Sequence, residues 1–138
     1  LISKKLKQSS IYKILKLLHE KNEIYRLSGA VHGCAICDKN QIIDFVEDVG
    51  RHNAVDKLIG AALSSGFFPM TDFLIMVSGR VSFELVQKSM MGGIPILAAV
   101  GAPSSLAIEL AEEFGMTVLG FVKNDKFNIY SHPQRVVF

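Results

Sequence analysis

Three short, largely apolar runs at residues 73–77, 95–100 and 117–122 alternate with segments of helical periodicity, and this alternation limits the possible folds more than any other feature. A run such as Phe73-Leu74-Ile75-Met76-Val77 has no polar side to offer to water. It belongs in a strand covered on both faces. The spacing predicts helices over 81–91 and 104–114 between the runs. Pro103 and Ser104 open the second helix and Gly115 stops it. Strand, helix, strand, helix, strand implies right-handed crossovers, a mostly parallel sheet and helices on both of its faces.

The segments before this series read differently. Residues 30–37 and 41–46 are two strands joined by the turn signal Asp38-Lys39-Asn40, which makes an antiparallel hairpin. Residues 9–21 form an amphipathic helix with Ile11, Ile14, Leu15 and Leu18 on one stripe. A helix over about 52–64 turns Val55, Leu58, Ile59 and Ala62 inward. A last short strand at 127–130 pairs back on the sheet edge. The expected organisation is a basic leading helix over 1–26 followed by one α/β domain over 27–138.

Composition narrows the functional classes. The chain has 138 residues, 49% of them hydrophobic and 20% charged, which suits a globular domain with a real core. No apolar run has the length needed to cross a bilayer, and the basic start lacks the cleavage site of a secretory signal. Two cysteines without any export sign favour a reducing, cytoplasmic setting. Net charge is +2, but the first 26 residues hold seven basic and two acidic groups. Such a helix either meets an anionic partner or is simply solvated. Without interleaved aromatics or a reading motif, nucleic acid is not an expected partner.

The richest stretch is Glu47-Asp48-Val49-Gly50-Arg51-His52-Asn53-Ala54-Val55-Asp56-Lys57, which lies where a strand gives way to a helix. Such junctions at the carboxyl edge of a sheet are usual ligand sites. A well-capped helix start, with Arg51 paired to an acid, explains the same residues equally well. Ser78-Gly79-Arg80 and Gly101-Ala102-Pro103-Ser104-Ser105 end the next two strands, and each fits either an anion site or a cap. Gly120-Phe121-Val122-Lys123-Asn124-Asp125-Lys126 ends a fourth. Together these four turns outline one cleft suited to a phosphorylated, nucleotide-like ligand, although no Walker or G-x-G-x-x-G motif is present. His132-Pro133-Gln134-Arg135 is either a tail loop or a second approach to the cleft. Cys34 and Cys37 have redox-pair spacing, but in a strand residues three apart point to opposite sides. They read as small buried thiols, and no intrinsic metal is expected.

Glu47–Lys57 resembles the most distinctive block of the FdhD/NarQ family, the formate dehydrogenase accessory sulfurtransferases. Ser28-Gly29-Ala30-Val31-His32, Ser78-Gly79-Arg80, Glu84-Leu85-Val86-Gln87-Lys88-Ser89 and His132-Pro133-Gln134-Arg135 also match in order and spacing, so that the resemblance covers residues 27–135. It implies a three-layer αβα sandwich similar to cytidine deaminases, with a mixed, mostly parallel sheet, and a homodimer. It implies a sulfur carrier that takes persulfide sulfur from a cysteine desulfurase. The sulfur passes to the molybdenum (or tungsten) bis-guanine-dinucleotide cofactor before that cofactor enters formate dehydrogenase. The family's cofactor-binding stretch aligns with Phe121, Val122, Lys123, Asn124, Asp125 and Lys126. Arg51, Arg80, Lys123 and Lys126 are then expected to hold guanine-nucleotide phosphates, with Glu47, Asp48 and His52 shaping the cleft.

Two departures accompany the match. The usual Pro-Gly-Arg of the cofactor-binding stretch is Asn124-Asp125-Lys126 here, which replaces a guanidinium fork by an ammonium. The family's sulfur-carrying Cys-x-x-Cys lies upstream of the segment matched by Ser28–His32, whereas Cys34 and Cys37 lie downstream of it. The persulfide loop is therefore expected before Leu1, and the chain, which does not begin with Met, is expected to be the cofactor-binding part of a longer protein. A cofactor-insertion chaperone without sulfur chemistry is the main alternative. A zinc hydrolase or deaminase is a third reading, by fold analogy alone.

Overall fold

A computed structural model of the chain describes residues 5–26, 32–38, 41–48, 56–57, 59–60 and 73–138. A six-stranded sheet forms its centre. In chain order the strands are β2 (His32–Cys37), β3 (Ile42–Asp48), β4 (Leu74–Val77), β5 (Ile96–Ala99), β6 (Thr117–Gly120) and β7 (Asn128–Ser131). Helix α1 (Gln8–Arg26) precedes them, while α2 (Phe83–Met91) and α3 (Ser105–Phe114) form the two crossovers. A two-residue strand β1 (Leu6–Lys7) pairs in parallel with β8 (Val136–Val137), tying one end of the chain to the other.

The sheet order is β3-β2-β4-β5-β6-β7. β3, β4, β5 and β6 point one way and β2 and β7 the other, since β4-β5-β6 are parallel neighbours while β2 is antiparallel to both β3 and β4. Most strands therefore share a direction, although only two neighbouring pairs are parallel. The reason is that the β2-β3 hairpin is inserted with its second strand outermost.

Alternation along each strand divides the core into two layers. Cys34, Ile36, Ile75, Val77, Leu97, Ala99 and Val118 pack with Leu85 and Val86 of α2 and Ala107 and Ala111 of α3. Ala35, Cys37, Leu74, Met76, Ile96, Ala98 and Leu119 pack with Ile11, Ile14, Leu15 and Leu18 of α1. Those four side chains are fully buried, each worth about 1.5–3 kcal/mol of transfer free energy. Helix α1 thus lies in one outer layer of an αβα sandwich, and its Lys13, Lys16, Glu20 and Lys21 are exposed. It runs five residues beyond the expected end, because the sequence holds no Gly or Pro stop before Gly29.

The expected caps are in place. Ser82 accepts from the Leu85 N–H and Ser104 from the Ala107 N–H, and Gly115 closes α3 at φ 79°. Of the expected helix over 52–64, Asp56, Lys57, Ile59 and Gly60 are helical, and Ile59 packs into the α2–α3 layer. Its other inward positions lie outside the described residues.

Candidate functional site at the carboxyl edge of the sheet

The ends of β4, β5 and β6 are bound into one layer by backbone hydrogen bonds. Gly101 N–H donates to Gly79 O (3.0 Å), Val81 N–H to Ala102 O (3.1 Å) and Ser104 N–H to Val81 O (2.9 Å). Phe121 N–H reaches Gly101 O (3.1 Å) and Val122 N–H reaches Ala99 O (3.0 Å). This closeness requires glycine. A Cβ on Gly101 would stand 2.8 Å from Gly79 O, and one on Gly120 would stand 2.8 Å from Pro103 Cδ and from Tyr130 Cε2. Phe121 takes a left-handed backbone, φ 52°, which ordinary residues avoid at a cost of about 1–2 kcal/mol. Its N–H bond to Gly101 O and the adjoining Val122 N–H bond to Ala99 O hold the turn in place, and the Phe121 ring stands 43% exposed.

Just beyond this layer, on the α1 side, lies an open groove of about 550 Å³ lined by His19, Val100, Val122, Lys123, Asn124 and Asp125. Val122 is buried and Val100 half-buried, so they form an apolar floor. The wall is a tight turn closed by Lys123 N–H donating to Lys126 O at 2.8 Å. His19 of α1 faces that turn. The side chains of His19, Lys123, Asn124 and Asp125 form no hydrogen bond or ion pair with any described residue. An apolar floor rimmed by uncommitted polar groups is the usual build of a small-molecule site.

A family model described as FdhD/NarQ matches residues 2–137, nearly the whole chain. The chain belongs to the FdhD/NarQ family. It is 48% identical over 120 residues to a sulfur carrier protein FdhD from Streptomyces avermitilis, covering 86% of this chain and 43% of that protein. Among solved structures it superposes on a protein from Desulfotalea psychrophila described as a formate dehydrogenase accessory protein, with TM-score 0.90 and 28% identity over 99% of this chain and 59% of that one. A deaminase/reductase from Thermotoga maritima, named for diaminohydroxyphosphoribosylaminopyrimidine, shares the fold at TM-score 0.61 and 16% identity, over 83% of this chain and 37% of that one. The sheet is therefore of the cytidine deaminase-like kind. The chain spans about half the length of the curated relatives it matches.

Of the stretches that carry the FdhD/NarQ resemblance, His32, Glu47, Asp48, Ser78, Gly79 and Arg80 lie along this edge. β2 and β3 pair His32 with Asp48 and Gly33 with Glu47. Ser78 joins them from β4, its N–H donating to Gly33 O (3.0 Å) and its Oγ accepting from Gly33 N–H (2.8 Å). From β3 to β6 is four strand spacings, about 19 Å. The groove collects Val122, Lys123, Asn124 and Asp125 from the expected cofactor-binding stretch, but not Phe121, Lys126 or Arg80. Lys126 contributes its carbonyl to the turn, and Arg80 is exposed at the end of β4 without a bond to a described residue. Arg51 and His52 lie outside the described residues. Asp56, near the end of the same block, forms an ion pair with Lys88 of α2 at 2.7 Å.

Choices that the sequence leaves open are resolved here. Ser82 and Ser104 cap their helices, and Ser78 Oγ accepts from Gly33 N–H. His132 does not approach the cleft. β7 runs antiparallel to β6 and returns the chain to the start of β6, where His132 Nε2 bonds Glu112 O at 2.9 Å. Arg135 is buried there, donating to Gly115 O (2.7 Å) and Thr117 Oγ1 (2.9 Å) and so clamping the C-terminal end of α3. Burial lowers its pKa, and its Nε has no partner among the described residues. His19, by contrast, joins the groove without having been singled out in the sequence. Its only signal is that it adjoins the buried stripe of α1.

Cys34 and Cys37 enter different layers of the core, Cys34 toward α2 and α3 and Cys37 toward α1. They cannot share one ion. Both are essentially inaccessible, and burial pushes both thiols well above the ordinary thiol range; for Cys37 the nearby Cys34 and Asp38 add to the effect. A thiol kept protonated and away from solvent is neither a nucleophile nor an acceptor of persulfide sulfur.

Proposed function

We propose that this chain is the part of a sulfur carrier that holds the guanine-nucleotide portion of the molybdenum bis-guanine-dinucleotide cofactor, its substrate, while sulfur is delivered. The observation that carries the reading is the carboxyl-edge groove, where His19, Lys123, Asn124 and Asp125 stand uncommitted above Val100 and Val122. Lys123 supplies a cation for phosphate and His19 a ring nitrogen from the facing helix. Arg80 extends the basic edge toward Glu47 and Asp48, and a ligand of dinucleotide length is what a span of about 19 Å suits. The sulfur itself comes from a cysteine desulfurase and travels on a cysteine other than Cys34 or Cys37, both of which the core encloses. The acceptor is the cofactor destined for formate dehydrogenase, in the cytoplasm. Exposed Phe83, Met91, Leu106 and Phe114 on α2 and α3 favour assembly as a homodimer.

Titration of GDP into the chain tests this reading. The expected result is saturable binding that Lys123→Ala weakens up to about fivefold, as befits one exposed charge contact. No binding of GDP would overturn it. A chaperone that merely inserts the cofactor differs in one observable. Persulfide loading of the full-length protein, with Cys34 and Cys37 both replaced by Ala, is expected to persist. A full-length protein that carries no persulfide yet activates formate dehydrogenase would favour the chaperone.

A further inference from the structure

We propose that one side of α1, with the β1–β8 ribbon and the residues that enter β7, is a docking surface for a partner protein, and that the partner brings an acidic patch carrying an exposed apolar side chain. The surface adjoins the groove without using its ligand, so the inference stands whether or not the groove holds a nucleotide. Three rings form its centre. Tyr12 of α1 packs on Phe127 with ring centroids 5.8 Å apart, and Phe127 stacks on Phe138 at 6.3 Å with 14° between the planes. Gln8 Nε2 donates to Tyr12 Oη at 2.8 Å and fixes that ring, while the pairing of Val137 with Lys7 holds the residue before Phe138. Phe138 is nevertheless 79% exposed and Val137 40%. The ring ladder is therefore held from behind and open in front, as an aromatic anchor of a protein interface must be.

Lysines surround the ladder. Tyr12 touches Phe127 and His19 shares the groove with Lys123, so this side of α1 is turned toward residues 122–127. Lys16 comes four residues after Tyr12 and three before His19, and so stands on the same side. Lys126 adjoins Phe127 in sequence, and Lys7 lies opposite Val137. Lys7, Lys16 and Lys126 are exposed, and none is paired with a described residue. The acidic Glu20 and Asp125 lie toward the groove. An apolar centre inside a polar rim is the build of a protein interface. The layer across the sheet has the opposite sign: Glu84, Glu109, Glu112 and Glu113 are exposed on α2 and α3, where Lys88 is paired with Asp56. An acidic partner is drawn to the α1 side and repelled from the other, which sets its orientation. Two other anionic partners fit less well. The apolar stripe of α1 is buried against the sheet, which leaves no apolar helix face to enter a membrane. The three cations lack a guanidinium fork, and the rings pack on one another rather than standing apart to receive bases.

The test is fluorescence anisotropy of a labelled peptide of repeated Glu-Asp-Phe, titrated with the unaltered chain, with Phe138→Ala and with the double variant Lys7→Glu/Lys16→Glu. All three altered side chains are exposed, so the fold does not depend on them. The expected result is saturable binding to the unaltered chain, weakened about tenfold by Phe138→Ala, as for loss of an interface anchor. Charge reversal at the two lysines, or raising the salt from low to about 0.3 M, should weaken it at least about fivefold. A second peptide of repeated Glu-Asp-Ala separates the two contributions. Phe138→Ala should bind both peptides alike, whereas Lys7→Glu/Lys16→Glu should keep its preference for the one with Phe. Failure of the Glu-Asp-Phe peptide to bind the unaltered chain, or equal affinity for all three proteins, would overturn the proposal. Tighter binding of phosphatidylserine vesicles or of oligothymidine than of the peptide would overturn it too, and would give this face to a membrane or a nucleic acid instead.

Discussion

Gly101→Ala is the perturbation whose consequence follows most directly from the packing of the strand ends. The added Cβ would lie 2.8 Å from Gly79 O and 2.9 Å from Gly79 C, both backbone atoms, where ordinary contact begins near 3.4 Å. Relief requires the β4 turn to retreat by about 0.6 Å. The Gly101 N–H to Gly79 O bond, now 3.0 Å, would then open to about 3.6 Å, which is no longer a hydrogen bond. Overpacking together with the lost bond should cost about 2–3 kcal/mol. For a domain of this length that lowers Tm by roughly 6–12 °C. GDP affinity should fall as well, because Val100 of the groove floor is its neighbour in sequence. Thermal melts followed by circular dichroism, with calorimetric titration of GDP, give both quantities. Gly60→Ala is the control: the residue is helical and a Cβ there meets nothing within 4 Å, so stability should hold or rise by about 0.5–1 kcal/mol. Equal melts for Gly101→Ala and the unaltered chain would refute the account of the strand-end layer.

Two further outcomes follow from buried groups. Cys34 and Cys37 should resist a thiol reagent in the native protein and react at once in denaturant; labelling of the native chain at the denatured rate would place them wrongly. Because the folded thiols hold their protons above the ordinary thiol range, their contribution to stability is complete below that range. It is lost as pH rises past the point where unfolded-chain thiols ionise, by about 1.4 kcal/mol per pH unit for each thiol. Denaturant melts at rising alkaline pH should show that slope, and replacing both cysteines by Ala should flatten it. Arg135→Met removes the donor to Gly115 O and Thr117 Oγ1 and should cost about 2–3 kcal/mol. GDP affinity, measured at the opposite edge of the sheet, should not change.

Much of this was readable from local pattern. The period of two in β2 already separates Cys34 from Cys37, and the structure sends them into different layers. Helix caps at Ser82, Ser104 and Gly115 follow from residue type and position alone. Properties that depend on contacts distant in sequence were not readable. Nothing in the sequence around His19 says that α1 crosses the sheet near the end of β6, so its place in the groove emerges only when that layer is packed. The Ser78 hydroxyl resembled an anion ligand because its partner, Gly33 N–H, is 45 residues away. His132 is an intermediate case. A final strand pairing back on β6 carries the residue beyond it to the start of β6, so the amino edge was one inference away from the strand assignment itself.

The central claim is the place of the ligand. The most direct measurement is the perturbation of backbone amide NMR signals by GDP. The account predicts shifts concentrated at His19, Val100, Val122, Lys123, Asn124 and Asp125, which line the groove. Shifts confined to Thr117, His132 and Arg135 at the opposite edge, or no shifts at saturating GDP, would contradict it.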